Sequence, residues 1–224
     1  MIYKNHLLKS VVKYNMDKNS FFTSQKRGTV VEKKQLKIGI IGVGVLGETA
    51  RNFYEESGRD VFCYDKFKGI GSVEEVNRAD IILICVPTPR KSDNELDTSI
   101  VEEAAGYIGG KGKIIVIRST VPIGTTDRLQ QQYRKHKLLH NPEFLTERKK
   151  WLDFRNPKFQ LVGYTFQSEG VARELVGILP VVPHFTKVMV MPAVATELFK
   201  LARNGWLCSK NSYWNQIYDL CQTF

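Results

Sequence analysis

Residues 36–65 read LKIGIIGVGVLGETARNFYEESGRDVFCYD, and this stretch decides the fold. An apolar run at 36–41 meets a glycine-rich turn, apolar residues at helical spacing follow over 45–56, and RDVFCY (59–64) supplies a second strand. The unit is β-α-β. Its turn, GVGVLG, sets Gly42, Gly44 and Gly47 in the order G-x-G-x-x-G. The first glycine permits a tight turn, the second lets backbone approach a pyrophosphate, and the third lets the helix pack closely on the strand. The helix N-terminus adds free N–H groups and a partial positive charge.

Six residues of this kind are weak evidence alone; their context strengthens them. Asp65 closes the second strand eighteen residues after Gly47. A carboxylate there accepts from both ribose hydroxyls and repels a 2′-phosphate, which favours NAD over NADP. Lys66 and Lys68 beside it soften that preference. The structural alternative is a glycine turn that binds no dinucleotide.

The alternation continues outward. ADIILICV (79–86) is a third buried strand, and DTSIVEEAAGYI (97–108) a helix begun by Asp97 or by a Ser99/Glu102 capping box. KGKIIVIRS (111–119) is a fourth strand, residues 124–136 another helix, KLLHN (137–141) a short strand and FQLVGYT (159–165) one more. Strands this apolar have no wet face, so the expected architecture is α/β: a doubly wound Rossmann-type parallel sheet over residues 36–192. From 193 the texture changes. Some thirty residues with no proline and a single glycine carry apolar side chains at mostly helical spacing, and read as one long helix beginning a second, helical domain over 193–224.

Composition sets limits on function. The net charge is +10, but residues 1–35 hold eight Lys/Arg against two acids, so the excess is mainly an extension ahead of the fold. Apart from a possible short helix near 7–14, that extension shows no periodicity and is expected to be poorly ordered. Nucleic acid is disfavoured as a partner because no aromatic-basic interleaving follows the charge. No apolar run reaches membrane length and no leader opens the chain, so a cytoplasmic protein without a membrane partner is expected. The four cysteines, Cys63, Cys85, Cys208 and Cys221, have neither C-x-x-C pairing nor zinc-site spacing, so no metal is expected. Cys63 and Cys85 lie in strand-like runs and read as small buried hydrophobes.

Three loops follow strands three to five: CVPTP (85–89), RSTVPIGTT (118–126) and HNPEFLTE (140–147). In an open α/β sheet ligands bind beyond the carboxyl ends of the strands, so these loops should converge on the nicotinamide end of a cofactor. Turn chemistry explains Pro122 and Thr125 well, and the carboxylate of Glu143 poorly. On the long helix, ELFKLARN sets Lys200 and Asn204 four residues apart on one face. A solvated face explains that spacing, and so does a pair aimed at a developing alkoxide.

GVGVLG, VPTP, STVPIGTT, NPEFL and ELFKLARNGWLCSKNSYWNQI, in this order, resemble the UDP-glucose/GDP-mannose 6-dehydrogenase family over residues 37–221. Such enzymes oxidise the C6 alcohol of a nucleotide sugar to a carboxylate in two hydride transfers to NAD, with a cysteine trapping the aldehyde on the way to a thioester. The resemblance implies that Gly42, Val43, Gly44, Val45, Leu46 and Gly47 hold the pyrophosphate and Asp65 the adenosine ribose. Val86, Pro87, Thr88, Ser119 and Thr120 would line the cofactor, with Glu147 near the nicotinamide. Thr120 and Glu143 would order the hydrolytic water, Glu143, Phe144 and Leu145 would border the sugar, and Lys200 with Asn204 would stabilise the oxyanion and touch the substrate.

There are departures. Arg148 stands where the family has glycine, and the family's cysteine loop, with the domain beyond it, has no match in these residues. The expectation is therefore the N-terminal, NAD-binding part of such an enzyme, inactive alone, with a nucleotide sugar of the UDP-glucose or GDP-mannose type as substrate. The resemblance also implies a homodimer formed through the 193–224 helix. Two rivals remain: a β-hydroxyacid-type dehydrogenase using Lys200 and Asn204, which leaves STVPIGTT and NPEFL unexplained, and a non-catalytic NAD-binding subunit.

Overall fold

The computed structural model describes residues 36–224, apart from the side chain of Glu147. The extension at 1–35, with the expected helix near 7–14, lies outside the described residues. Four strands, β1 (Ile38–Ile41), β3 (Ile81–Ile84), β4 (Ile114–Ile117) and β5 (Lys137–His140), are almost wholly buried. Each buried isoleucine or leucine in them is worth about 1.5–3 kcal/mol relative to exposure. With β2 (Val61–Tyr64), β6 (Phe159–Tyr164) and β7 (Lys187–Pro192) they form one seven-stranded sheet in the order β2-β1-β3-β4-β5-β6-β7. The chain goes from β1 outward to β2, then returns to lay β3 on the other side of β1. That reversal is the switch point at which such sheets open a crevice.

Register places the chemistry. Ile41 pairs with Tyr64 and with Ile84, Ile84 with Ile117, and Ile117 with His140. Five strands therefore end level, and Gly42, Asp65, Cys85, Arg118 and Asn141 follow them along one edge.

Helices cover both faces. Helix α1 (Val45–Glu56), α5 (Lys150–Arg155) and α6 (Ala172–Val176) pack over one core containing Tyr54, Phe154 and Leu175. Helices α2 (Val73–Val76), α3 (Ser99–Gly106) and α4 (Thr125–Gln132) cover the other, around Val76, Ala104 and Leu129. Helix α7 (Ala193–Cys221) is the single long helix expected from its spacing.

One expectation is corrected. The sheet is not wholly parallel: β6 runs antiparallel to β5, with Leu139 opposite Tyr164. The connection between β5 and β6, through a 3-10 turn at Glu147–Lys149 and the six-residue α5, spans no crossover helix of the usual length and returns the chain head to tail. Helix α3 starts at Ser99 with Thr98, not Asp97 or Ser99, at its N-cap; Asp97 Oδ1 accepts from the Ser99 N–H at 2.9 Å just ahead of the helix, and the Ser99/Glu102 box does not form.

Candidate active site

The glycine loop has the shape a pyrophosphate needs. Gly42 sits at φ +90°, where a Cβ would meet the Cys85 carbonyl at 2.9 Å, and a Cβ on Gly47 would meet the Gly42 carbonyl oxygen at 2.0 Å. A Cβ on Gly44 would meet nothing within 4 Å, so the outward face of the loop is open. Gly44 is also the N-cap of α1 and offers no side-chain cap, which leaves the first-turn N–H groups to an anion. Val45 is half exposed there, while Val43 is buried and Leu46 partly so.

Asp65 is where the sequence placed it, at the end of β2, and it is already engaged. Its Oδ2 accepts from the Val43 N–H at 2.7 Å, and its Oδ1 accepts from the N–H groups of Phe67 and Lys68, each at 3.0 Å. The carboxylate thus knots the turn after β2 to the glycine loop and keeps part of its acceptor capacity for a ribose hydroxyl. Lys68 reaches back to donate to the Val43 carbonyl at 2.7 Å. The loop, the open face at Gly44 and the acidic strand end together fit the adenosine diphosphate half of NAD.

The next two loops are tied to each other. Ser119 Oγ donates to the Val86 carbonyl at 2.6 Å, and Thr88 Oγ1 donates to the Thr120 carbonyl at 2.7 Å. Two of the expected cofactor-lining hydroxyls thereby fix the wall itself. Pro87 is exposed, and Thr120 is partly exposed at the edge.

The third loop meets α7. Lys200 is 6 % exposed, and its ammonium donates to the Glu143 carbonyl at 2.6 Å, with Glu143 Oε1 at 3.8 Å. Burial pushes the Lys200 amine below its ordinary range, and Glu143 works against that shift. Glu143 Oε2 accepts from the Leu145 N–H at 2.6 Å, so this carboxylate shapes its own loop as well as facing the lysine. Phe144 packs on Phe159 and Phe199, with Lys200 and Arg203 over its ring. Asn204, one turn beyond Lys200, is exposed, and no side-chain hydrogen bond joins the two among the described residues. The side chain of Glu147 lies outside the described residues.

Sequence reasoning missed two groups here. Glu197, fully buried on α7, accepts from the Gly124 N–H (2.6 Å), the Thr126 N–H (2.8 Å) and Thr126 Oγ1 (2.6 Å). It seats α7 on the start of α4, and so sets Lys200 relative to the Ser119–Thr120 loop. Arg118, 3 % exposed, stacks over Phe154 at 5.4 Å at the same sheet edge. A glutamate in ELFK and an arginine ahead of Ser119 were visible, but nothing in their spacing signalled burial.

A family model described as the UDP-glucose/GDP-mannose dehydrogenase family, NAD binding domain, matches residues 66–176. The chain carries the NAD-binding domain of the UDP-glucose/GDP-mannose dehydrogenase family. NAD is accordingly its cofactor. The UDP-glucose 6-dehydrogenase of Rhizobium meliloti is 28 % identical over 232 residues, covering 84 % of this chain and 53 % of that protein. That of Rickettsia typhi is 34 % identical over 166 residues, covering 70 % and 37 %. Among solved structures, a UDP-glucose dehydrogenase from Pyrobaculum islandicum superposes with a TM-score of 0.71 at 25 % identity, covering 85 % of this chain and 54 % of that one. A GDP-mannose dehydrogenase from Pseudomonas aeruginosa gives 0.67 at 20 % identity, a likeness of fold. The chain thus spans about half the length of the relatives it matches most extensively.

Proposed function

We propose that this chain supplies the NAD-binding half of an enzyme that oxidises the C6 alcohol of a nucleotide sugar, of the UDP-glucose or GDP-mannose type, to the carboxylate. The observation that carries the reading is Lys200: an ammonium 6 % exposed, held by the Glu143 carbonyl at the carboxyl edge of the sheet. A buried cation costs several kcal/mol unless it serves a partner or a charge that develops beside it. NAD would accept the hydride. Lys200 would stabilise the substrate's developing alkoxide, Thr120 and Glu143 would order water, Phe144 and Leu145 would shape the sugar-side loop, and Asn204 and Glu147 would reach substrate and nicotinamide from the rim.

The second oxidation needs a thiolate, and the cysteines at hand are poor candidates. Burial pushes the Cys85 thiol up to about 12, and it raises that of Cys63 as well. Cys208 and Cys221 lie on α7, about 12 Å and about 31 Å along the helix axis from Lys200. On this reading the chain binds NAD without sustaining turnover. The test is to follow NADH formation by the purified chain with NAD and UDP-glucose or GDP-mannose, with NADH binding measured on the same sample. Binding without turnover is expected, and sustained turnover would overturn the reading.

The same proposal gives α7 a second copy as its partner. Trp206, Tyr213, Trp214, Tyr218 and Leu220 are each more than half exposed along it. No helix among the described residues is long and apolar enough to cross a membrane.

A further inference from the structure

A cavity opens beside Gly42 and Asp65, toward α3. Its walls include Tyr64, Val86, Ile100 and Ala104, with Lys66 and Glu103 among the groups that line it. If the pyrophosphate lies on the loop and the adenosine ribose at Asp65, the coenzyme's base falls here, between the end of β2 and α3. Tyr64 and Tyr107 meet edge to face at 5.5 Å and give it an aromatic floor.

The polar chemistry of the cavity is one-sided. Lys66 Nζ donates to Glu103 Oε1 at 3.0 Å, and the Tyr107 hydroxyl donates to that same oxygen. The Tyr107 and Lys66 bonds hold the Glu103 carboxyl below its usual range, so it stays ionised. Both bonds fix one oxygen, and Oε2 accepts none among the described residues. An ionised carboxylate with a fixed orientation and an open acceptor recognises a donor and rejects another acceptor.

We propose that Glu103 selects the base of the coenzyme, its Oε2 accepting from the exocyclic amine of adenine. Lys66 and Tyr107 are positioning residues that hold the carboxylate in place. The inference rests on the chain's binding of NAD and adds to it the choice of base.

The test compares the affinity of the full chain for NADH with that for its hypoxanthine analogue, deamino-NADH, whose base carries a carbonyl in place of the amino group. Wild type should favour NADH by about tenfold, the loss expected when one charge-assisted hydrogen bond becomes an acceptor facing an acceptor. Glu103→Gln offers an amide that can serve either base, so its ratio should fall to near one. Tyr107→Phe, which leaves the charge and removes one anchor, should give a ratio between the two. Far-UV circular dichroism verifies that these exposed-site variants are folded. Equal affinities in wild type, or the wild-type ratio retained in Glu103→Gln, would overturn the proposal while leaving NADH binding intact. Failure of wild type to bind either dinucleotide would sink the NAD reading and this proposal together.

Discussion

His140 ends β5 fully buried, its Nδ1 2.7 Å from Thr196 Oγ1 on α7, and burial pushes its pKa down from 6.5 to about 3. The native state therefore keeps it neutral where the unfolded chain takes up a proton. Stability present above pH 6.5 should be lost as pH falls toward 3, by about 1.4 kcal/mol per pH unit from this group. Urea denaturation at pH 7 and pH 5 should show a loss of about 2 kcal/mol that a His140→Gln variant lacks; parallel behaviour of the two proteins would refute the assignment. Gly47→Ala should cost about 2 kcal/mol or more and weaken NADH binding, because its Cβ would meet the Gly42 carbonyl at 2.0 Å, a clash against backbone. A fold as stable as wild type by the same denaturation would contradict this. Gly42, Gly44, Gly47 and Asp65 could be read from sequence because their demands are local: a φ, a close approach, a carboxylate at a strand end. Glu197, Arg118 and Glu103 could not, because what they do depends on which other element faces them.

Helix α7 is tied to the start of α4 by its Glu197 carboxylate, while much of its apolar stripe is exposed. Glu197→Ala should cost about 3 kcal/mol, since it strands the half-buried Gly124 N–H and both the N–H and the hydroxyl of the buried Thr126, whereas Glu197→Gln keeps an acceptor and should cost about half as much. Thermal unfolding of the two variants checks the ordering; equal small losses would mean that apolar packing alone seats the helix. The same scale explains what the sequence did not disclose. Runs such as IGII, IILI and IIVI announce buried strands but not their direction, and that β6 runs opposite to β5 depends on which strand it meets, a long-range pairing with no local signal. Helices α2 and α6, four and five residues long, are too short to display a period.

At the scale of the whole molecule, two expectations remain to be measured. If α7 is covered by a second copy, sedimentation should report a dimer at micromolar concentration, and Trp214→Asp, which places a charge on that stripe, should shift it to monomer. A wild-type monomer would remove the stripe from the account of assembly. The edge formed by the glycine loop, Asp65 and the loops after β3 and β4 should itself be a dinucleotide site specific for NAD. Calorimetric titration of the purified chain with NADH and with NADPH tests it most directly. One NADH should bind per chain, at least tenfold tighter than NADPH, because a 2′-phosphate would meet the Asp65 carboxylate. Absence of NADH binding, or tighter binding of NADPH, would contradict it.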